Sequence, residues 1–121
     1  MATITLSTEY LKTHGNTECN IVIWTPLANG DQGTAFENPG QADRSIQISG
    51  TFGVGGSITI QGSNDGSNWV ALTDPQGNAI TKTAAAIEQV SEVTRYIRPS
   101  VTAGDGTTAL TVTMLARRGY R

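Results

Sequence analysis

Apolar and polar residues alternate along several short stretches of this chain, which is the pattern expected of half-buried β-strands. The clearest stretch is residues 56–72, in which Ile58 and Ile60 alternate with polar residues. Residues 63–68 then contain an Asp-Gly turn, which is typical of hairpins because glycine tolerates a positive φ. Trp69 begins an apolar return strand. Residues 56–72 are therefore predicted to form a β-hairpin.

Other stretches also have the period or the composition of strands, namely residues 3–6, 19–24, 44–53, 79–83, 96–101 and 109–116. Residues 19–24, CNIVIW, form a continuous β-branched run that indicates a buried strand. Residues 84–93 fit either one or two helical turns or a strand followed by a loop, and the β context favours the second. Residues 44–83 read as a meander, and residues 96–116 as a second hairpin. The pattern predicts an all-β, jelly-roll-like antiparallel β-sandwich of about eight strands.

Residues 25–43 show no periodicity and contain two prolines and three glycines. A loop of this length is usually functional or disordered. We expect an extended arm or binding loop here, with simple disorder as the alternative. Phe36 is a candidate contact residue, because aromatic side chains often anchor protein interfaces. A single domain over 1–121 would thus comprise strands plus an arm in 1–43, a sandwich core in 44–118 and a basic tail in 117–121.

The composition fits this fold and argues against several classes of function. Charged residues make up 15% of the chain, well below the usual quarter, and the net charge is −2. This balance gives no general attraction to nucleic acid or to a membrane surface. The single Cys19 excludes an intramolecular disulfide, and no stretch resembles a signal peptide or a transmembrane run. We expect synthesis in a reducing cytoplasm.

Charge is distributed unevenly along the chain. Residues 1–94 carry three lysines and arginines against nine acidic residues. Residues 95–121 carry five arginines against one aspartate, and these are Arg95, Arg98, Arg117, Arg118 and Arg121. A basic segment of this kind either marks a contact surface or consists of solvated side chains near a chain end.

Residues capable of catalysis or metal binding are few and scattered. His14 is the one histidine, so neither a histidine-based triad nor a multi-histidine metal site can be built. Cys19 begins an apolar run and is expected to be a packed thiol. Glu88 and Glu92 lie close in sequence, but nothing positions them across a cleft as a glycosidase requires. The sequence therefore predicts a protein that is not an enzyme, with no catalytic, cofactor or metal site.

Two segments carry a family resemblance, GSITIQGSNDGSNWVALTDPQGNAIT and TRYIRPSVTAGDGTTALTVTMLARR. They resemble the small jelly-roll cement, or decoration, proteins that are encoded beside the major capsid protein in tailed bacteriophages. The resemblance covers about half of the chain, from Gly56 to Arg118. It implies a protein on the outside of the virion head, made in the host cytoplasm, that clamps neighbouring capsid subunits.

The same resemblance implies partners. They are the major capsid protein and further copies of this chain, as dimers or trimers at capsid symmetry axes. Neither nucleic acid, a membrane nor a cofactor is implied. The candidate capsid contacts are Phe36, Arg95, Arg98, Arg117, Arg118 and Arg121.

A second resemblance leads to a different function. The segments GSNDGSNW and TRYIRP are similar to discoidin-like, galactose-binding jelly rolls. A carbohydrate-binding adhesion module is therefore one alternative, with Trp24 and Trp69 as candidate glycan contacts. A head–tail or tail structural protein of the same fold is another.

Overall fold

The computed structural model describes residues 2–11 and 19–118, which form an all-β sandwich. Twelve strands lie in these residues: β1 (Thr3–Ile4), β2 (Leu6–Leu11), β3 (Cys19–Leu27), β4 (Gln32–Gly33), β5 (Phe36–Glu37), β6 (Asp43–Thr51), β7 (Ser57–Ser63), β8 (Val70–Ala71), β9 (Thr81–Lys82), β10 (Ala86–Gln89), β11 (Tyr96–Ala103) and β12 (Ala109–Arg117). Within the described part of the chain, no helix is long and apolar enough to cross a membrane.

The strands form two sheets that pack face to face. The seven-stranded sheet has the order β1-β4-β11-β7-β8, with β5 also paired to β11 and β9 also paired to β7. The five-stranded sheet has the order β10-β6-β12-β3-β2. Neighbouring strands are antiparallel except for β1 and β4, which are parallel. The short strands β4 and β5 both pair with β11, one after the other along it, and β8 and β9 pair with β7 in the same way.

Successive strands cross repeatedly between the sheets, which is the wrapping of a jelly roll. The chain changes sheet between β3 and β4, between β6 and β7, and between β11 and β12. This confirms the predicted fold class. Two predicted pairings are nevertheless wrong: β11 and β12 form no hairpin, and β6 lies in the opposite sheet from β7, so residues 44–83 form no meander. Alternation identifies a strand, but it carries no information on which strand lies beside it.

The core between the sheets is built from alternate residues of the long strands. Its members include Val22, Trp24, Ile46, Ile48, Ile58, Ile60, Ile97, Val101, Leu110, Val112 and Met114, each at most 2% exposed. The prediction that Ile58 and Ile60 share a buried face is confirmed. Burial of these side chains supplies the main stabilisation of the fold, at roughly 1.5–3 kcal/mol for each large aliphatic residue.

Trp24 is fully buried and fixed by its indole nitrogen. Its Nε1–H donates to the carbonyl oxygen of Thr34 at 2.8 Å. A Cβ at Gly33 would lie 2.5 Å from Trp24 Cδ1 and 2.6 Å from Pro99 Cδ, so only glycine fits there. The placement of Trp24 corrects its assignment as a glycan contact, because no ligand can reach a side chain with no exposed surface.

Pro99 lies in an interior strand, although proline has no N–H to donate to a neighbouring strand and is usually confined to sheet edges or bulges. Two residues later, Val101 donates its N–H to the carbonyl of Asp31, on the side where β4 and β5 pair with β11. By strand periodicity, the nitrogen of Pro99 faces the same side. On that side, Pro99 faces the gap between β4 and β5, which pair with β11 on either side of it. The missing N–H of proline therefore leaves no carbonyl of a neighbouring strand without a donor.

Residues 25–43 belong to the sandwich, which corrects the predicted arm. β3 continues to Leu27, and β4 and β5 both pair with β11. Phe36 is 6% exposed and belongs to the core, so it is wrongly assigned as a surface contact. Asp31 accepts hydrogen bonds from the N–H groups of Ala28 and Ala2 and fixes the bend before β4. Two-residue strands are too short to produce a readable period.

A buried arginine completes this region. Arg44 is 1% exposed, and its guanidinium donates to the carbonyl oxygens of Asn38, Gln41 and Thr94. These bonds hold the turn before β6 against the segment that precedes β11. The segment between β5 and β6 is therefore fixed by a charged group inside the domain.

Candidate partner-binding surfaces

The outer face of the seven-stranded sheet carries an arginine stacked on a tryptophan. Arg98 lies on β11 between the buried residues Ile97 and Pro99, so its side chain points away from the core. Its guanidinium carbon lies 3.8 Å from the centre of the Trp69 ring. Its Nε–H donates to Oε1 of Gln61, the residue directly opposite on β7, at 2.9 Å. We name Arg98, Trp69 and Gln61 the Arg98 platform.

Arg98 has no acidic partner in the described residues. Across residues 2–11 and 19–118, no Asp or Glu oxygen lies within 4.0 Å of its guanidinium nitrogens. Partial burial lowers the pKa of Arg98, because loss of hydration disfavours the charged form. By contrast, ion pairs with Glu37 and Asp43 raise the pKa values of Arg95 and Arg117. The Arg98 platform therefore presents a positive charge without a counter-charge.

A second aromatic residue extends the platform. The ring of Tyr96 lies 6.3 Å from that of Trp69 at 50°, and the guanidinium of Arg95 lies 4.9 Å from the Tyr96 ring centre. Arg95 Nε also donates to Glu37 at 2.6 Å. Both members of this ion pair are about half exposed, so the pair adds little to stability. The charge of Arg95 is thus compensated by Glu37, whereas the charge of Arg98 has no such partner among the described residues.

The turn at residues 63–68 holds Trp69 in place, and it confirms the predicted hairpin between β7 and β8. Asp65 Oδ1 accepts the backbone N–H groups of Ser67 and Asn68, both at 2.8 Å. These bonds, led by that from Asn68, keep the pKa of Asp65 far below its usual range. Gly66 adopts a φ of +79°, as an Asp-Gly turn requires. The turn fixes the start of β8, and with it the position of Trp69.

The outer face of the five-stranded sheet carries a small apolar cluster between β3 and β12. Ile21 and Ile23 alternate with the buried residues of β3, and Leu115 lies directly opposite Ile21 on β12. Ile87, on β10, is 65% exposed on the same face. Gln47 and Thr113 separate Ile87 from the cluster. We name Ile21, Ile23 and Leu115 the apolar outer face. The solvent side of an antiparallel sheet is normally polar, so this sheet has apolar residues on both sides.

Polar residues border the apolar outer face at one end. Arg117 Nε and Asp43 Oδ2 form an ion pair at 2.6 Å across β12 and β6. Beside them lies an open cleft of about 380 Å³, which Leu115, Ser45 and Gln89 also line. An apolar centre with a polar border is the usual composition of a protein interface.

The predicted basic contact residues do not form one surface. Arg98 lies on β11 of the seven-stranded sheet, and Arg95 directly precedes that strand. By contrast, Arg117 lies on the five-stranded sheet, and the exposed Arg118 follows it. Arg121 lies outside the described residues. The five arginines are close in sequence, but the chain changes sheet between β11 and β12. Of the two interpretations of the basic segment, a single contact surface therefore does not fit the four arginines that the structure describes.

The acidic residues considered for catalysis have structural partners. Glu88 forms an ion pair with Lys82, and Glu92 accepts hydrogen bonds from the N–H and hydroxyl of Thr73. In residues 2–11 and 19–118, no group of three or more His, Cys, Asp or Glu side chains could hold a metal. His14 lies outside those residues.

Sequence reasoning missed Gln61 and the apolar outer face. Gln61 carries no recognisable signal, because its role depends on which residue of β11 lies opposite. The outer face did have a signal, because residues 21–24 are apolar on both sides of the strand. Such a continuous run indicates burial on two faces. The run predicts a strand buried in the core, but one of its two faces points away from the core, toward solvent.

Comparison with known proteins gives the fold. No protein-family model matches the sequence, and no curated protein has significant similarity to it. The crystal structure of the SPBc2 prophage-derived protein YomS matches with a TM-score of 0.61 at 13% identity, over 84% of this chain and 96% of that chain.

Two further structures match more weakly. Peruvianin-I, a cysteine peptidase from Thevetia peruviana latex, has a TM-score of 0.47 at 13% identity, over 94% of this chain and 63% of its own. A carbohydrate-binding module from Cellvibrio mixtus lichenase 5A, in complex with cellotriose, has a TM-score of 0.33 at 16% identity, over 96% and 88% of the two chains. Neither score supports a functional argument. This chain thus shares its β-sandwich fold with a prophage-derived protein over nearly that protein's whole length.

Proposed function

We propose that this chain is a non-enzymatic structural protein of a tailed-phage virion, which decorates the outside of the head and cements neighbouring subunits of the major capsid protein. The observation that carries the proposal is the apolar outer face. Ile21, Ile23 and Leu115 lie together on the solvent side of the five-stranded sheet. Contiguous apolar surface bordered by polar residues marks protein–protein interfaces.

Two further points support a virion role. The fold matches that of a prophage-derived protein over 96% of that protein's length. The segments 56–81 and 94–118 also resemble phage cement proteins, as described above. A rigid β-sandwich with apolar and arginine-bearing faces can join capsid subunits, or copies of itself, by contact alone. No bond need be made or broken in such a role.

The test is rebinding of purified protein to heads that lack it. A double variant, Ile23→Ser with Leu115→Ser, removes the centre of the apolar outer face. The matched control is Val54→Ser, since Val54 is 82% exposed but lies on the turn between β6 and β7. We expect the double variant to bind at least about tenfold more weakly and the control to bind like the unaltered protein. Equal binding by all three proteins would contradict the proposal.

Copy number separates cement from the related alternatives. A number of copies comparable to that of the major capsid protein favours decoration, whereas a few copies favour a head–tail or tail protein. A carbohydrate-binding adhesion module remains the alternative of a different class. Trp69 is its remaining aromatic candidate, and glycan binding that Trp69→Ala abolishes without unfolding the domain would favour that function.

A further inference from the structure

We infer that the Arg98 platform is a carboxylate-binding site, which takes an Asp or Glu side chain from a protein partner. The inference rests on the proposed function in one respect, namely that the partner is another virion protein. It concerns a different face of the sandwich from the apolar outer face, because β11 and β7 belong to the seven-stranded sheet.

The two Nη groups of Arg98 remain available to donate hydrogen bonds to a carboxylate. Gln61 accepts the Nε–H of Arg98, and the described residues take no hydrogen bond from either Nη. The N–H groups of a guanidinium lie in its plane, so stacking on Trp69 covers a face and leaves the edge open. A paired set of in-plane donors matches the two oxygens of a carboxylate.

The charges favour an anion at this position. Gln61 orients Arg98 through a neutral oxygen and so leaves its charge uncompensated. The neighbouring arginine, Arg95, which directly precedes β11, already pairs with Glu37 at 2.6 Å. Arginine and tryptophan are also the residues most often found where an interface is bound tightly. A partner carboxylate would supply the counter-charge that Arg98 lacks among the described residues.

The same contacts argue against a neutral sugar. Aromatic rings bind sugars by packing a free ring face against the sugar ring, and the guanidinium of Arg98 lies over a face of Trp69 at 3.8 Å. Nucleic acid is also disfavoured, since the chain carries a net charge of −2 and the platform carries one unpaired cation. An acidic protein side chain needs one such cation and no free ring face.

The test is an NMR titration of the ¹⁵N-labelled full chain at low salt. The probes are a capped hexaglutamate peptide, a capped hexaglutamine peptide and an oligomer of galacturonic acid. We expect hexaglutamate to shift the Arg98 Nε–H and Trp69 Nε1–H signals in a saturable way, and hexaglutamine to leave them unchanged. Arg98→Gln should weaken hexaglutamate binding at least about tenfold, and Arg98→Lys several-fold, because lysine keeps the charge but not the paired donors.

Arg95→Gln is the matched control, since Arg95 directly precedes β11 and its guanidinium stacks on the neighbouring Tyr96, but it has Glu37 as its partner. We expect it to change binding by less than about twofold. Equal losses from Arg95→Gln and Arg98→Gln would overturn the inference, as would equal binding of hexaglutamine. Binding of the galacturonic acid oligomer without binding of hexaglutamate would overturn it in favour of an acidic glycan.

Head binding separates this inference from the proposed function. If Arg98→Gln protein binds heads as well as the unaltered protein does, the platform is not a partner site although the decoration role stands. If the unaltered chain binds hexaglutamate through Arg98 but does not bind heads, the carboxylate site stands and the decoration role fails.

Discussion

Asp105 accepts the backbone N–H of Val54 at 2.8 Å, although the two residues are 51 positions apart in the chain. Its other oxygen accepts the hydroxyl of Thr107 at 2.6 Å and the N–H of the same residue at 2.8 Å. The Thr107 hydroxyl, followed by the N–H of Val54, holds the pKa of Asp105 at about 2. The ionised carboxylate therefore joins the β11–β12 loop to the turn between β6 and β7.

This arrangement predicts a loss of stability in acid. The pKa of Asp105 is about 2 in the folded chain, against an ordinary value of 3.8. Its ionised form therefore stabilises the fold fully above pH 3.8, and the contribution is lost as the pH falls through 2. Urea unfolding at pH 7, 4 and 2 measures this change. Asp105→Asn should lower stability at pH 7 and lose less on acidification than the unaltered chain. Parallel losses in the two proteins would exclude Asp105 as a cause.

Gly33→Ala should destabilise the domain by about 1–3 kcal/mol, because its Cβ would overlap Trp24 and Pro99. Gly106→Ala is the matched control, since a Cβ there meets no atom within 4 Å and should change stability by less than about 0.5 kcal/mol. Urea denaturation at neutral pH compares the two. Similar values for both variants would show that the Trp24 site can accommodate a methyl group.

The two tryptophans should differ in fluorescence. Trp24 is fully buried, whereas Trp69 lies partly exposed on the outer face of the seven-stranded sheet. In Trp69→Phe protein, the remaining emission should therefore be blue-shifted and poorly quenched by acrylamide. In Trp24→Phe protein, it should be red-shifted and readily quenched. The reverse order would contradict the assignment of Trp24 to the core.

Arg44→Lys should destabilise the domain by about 2–4 kcal/mol, since one ammonium cannot donate to the three carbonyl oxygens that the guanidinium reaches. Arg117→Lys is the control, because Arg117 is largely exposed and its ion pair with Asp43 contributes little. Thermal unfolding of the two variants tests the difference. A loss confined to Arg117→Lys would contradict this role for Arg44.

Local pattern predicted which residues form strands better than it predicted their neighbours. Ile58 and Ile60 alternate and are buried, because one strand's period depends only on its own sequence. The pairing of β12 with both β3 and β6 joins residues that are far apart in sequence, and no local signal encodes it. Phe36 was misassigned for a related reason, since a two-residue strand has no period to read.

The candidate surfaces were predicted less completely than the fold. Arg98 was identified from charge, but its partner Gln61 and its stacking on Trp69 depend on strand register and on the turn at 63–68. The arginines near the end of the sequence were grouped because they are close in the chain. Whether such residues share a face depends on whether the chain changes sheet between them, which composition does not encode.

The central position of β12 has a consequence for synthesis of the protein. β12 lies between β3 and β6, yet it is the last described strand to leave the ribosome. Until then, β3 and β6 have no strand between them, and the five-stranded sheet cannot close. Completion of that sheet must therefore follow translation of residues 109–117, and until then β3 and β6 each have one edge without a partner strand. Unpaired strand edges are where one chain can pair with another, so the order of synthesis leaves this sheet open to such pairing until its last described strand is made.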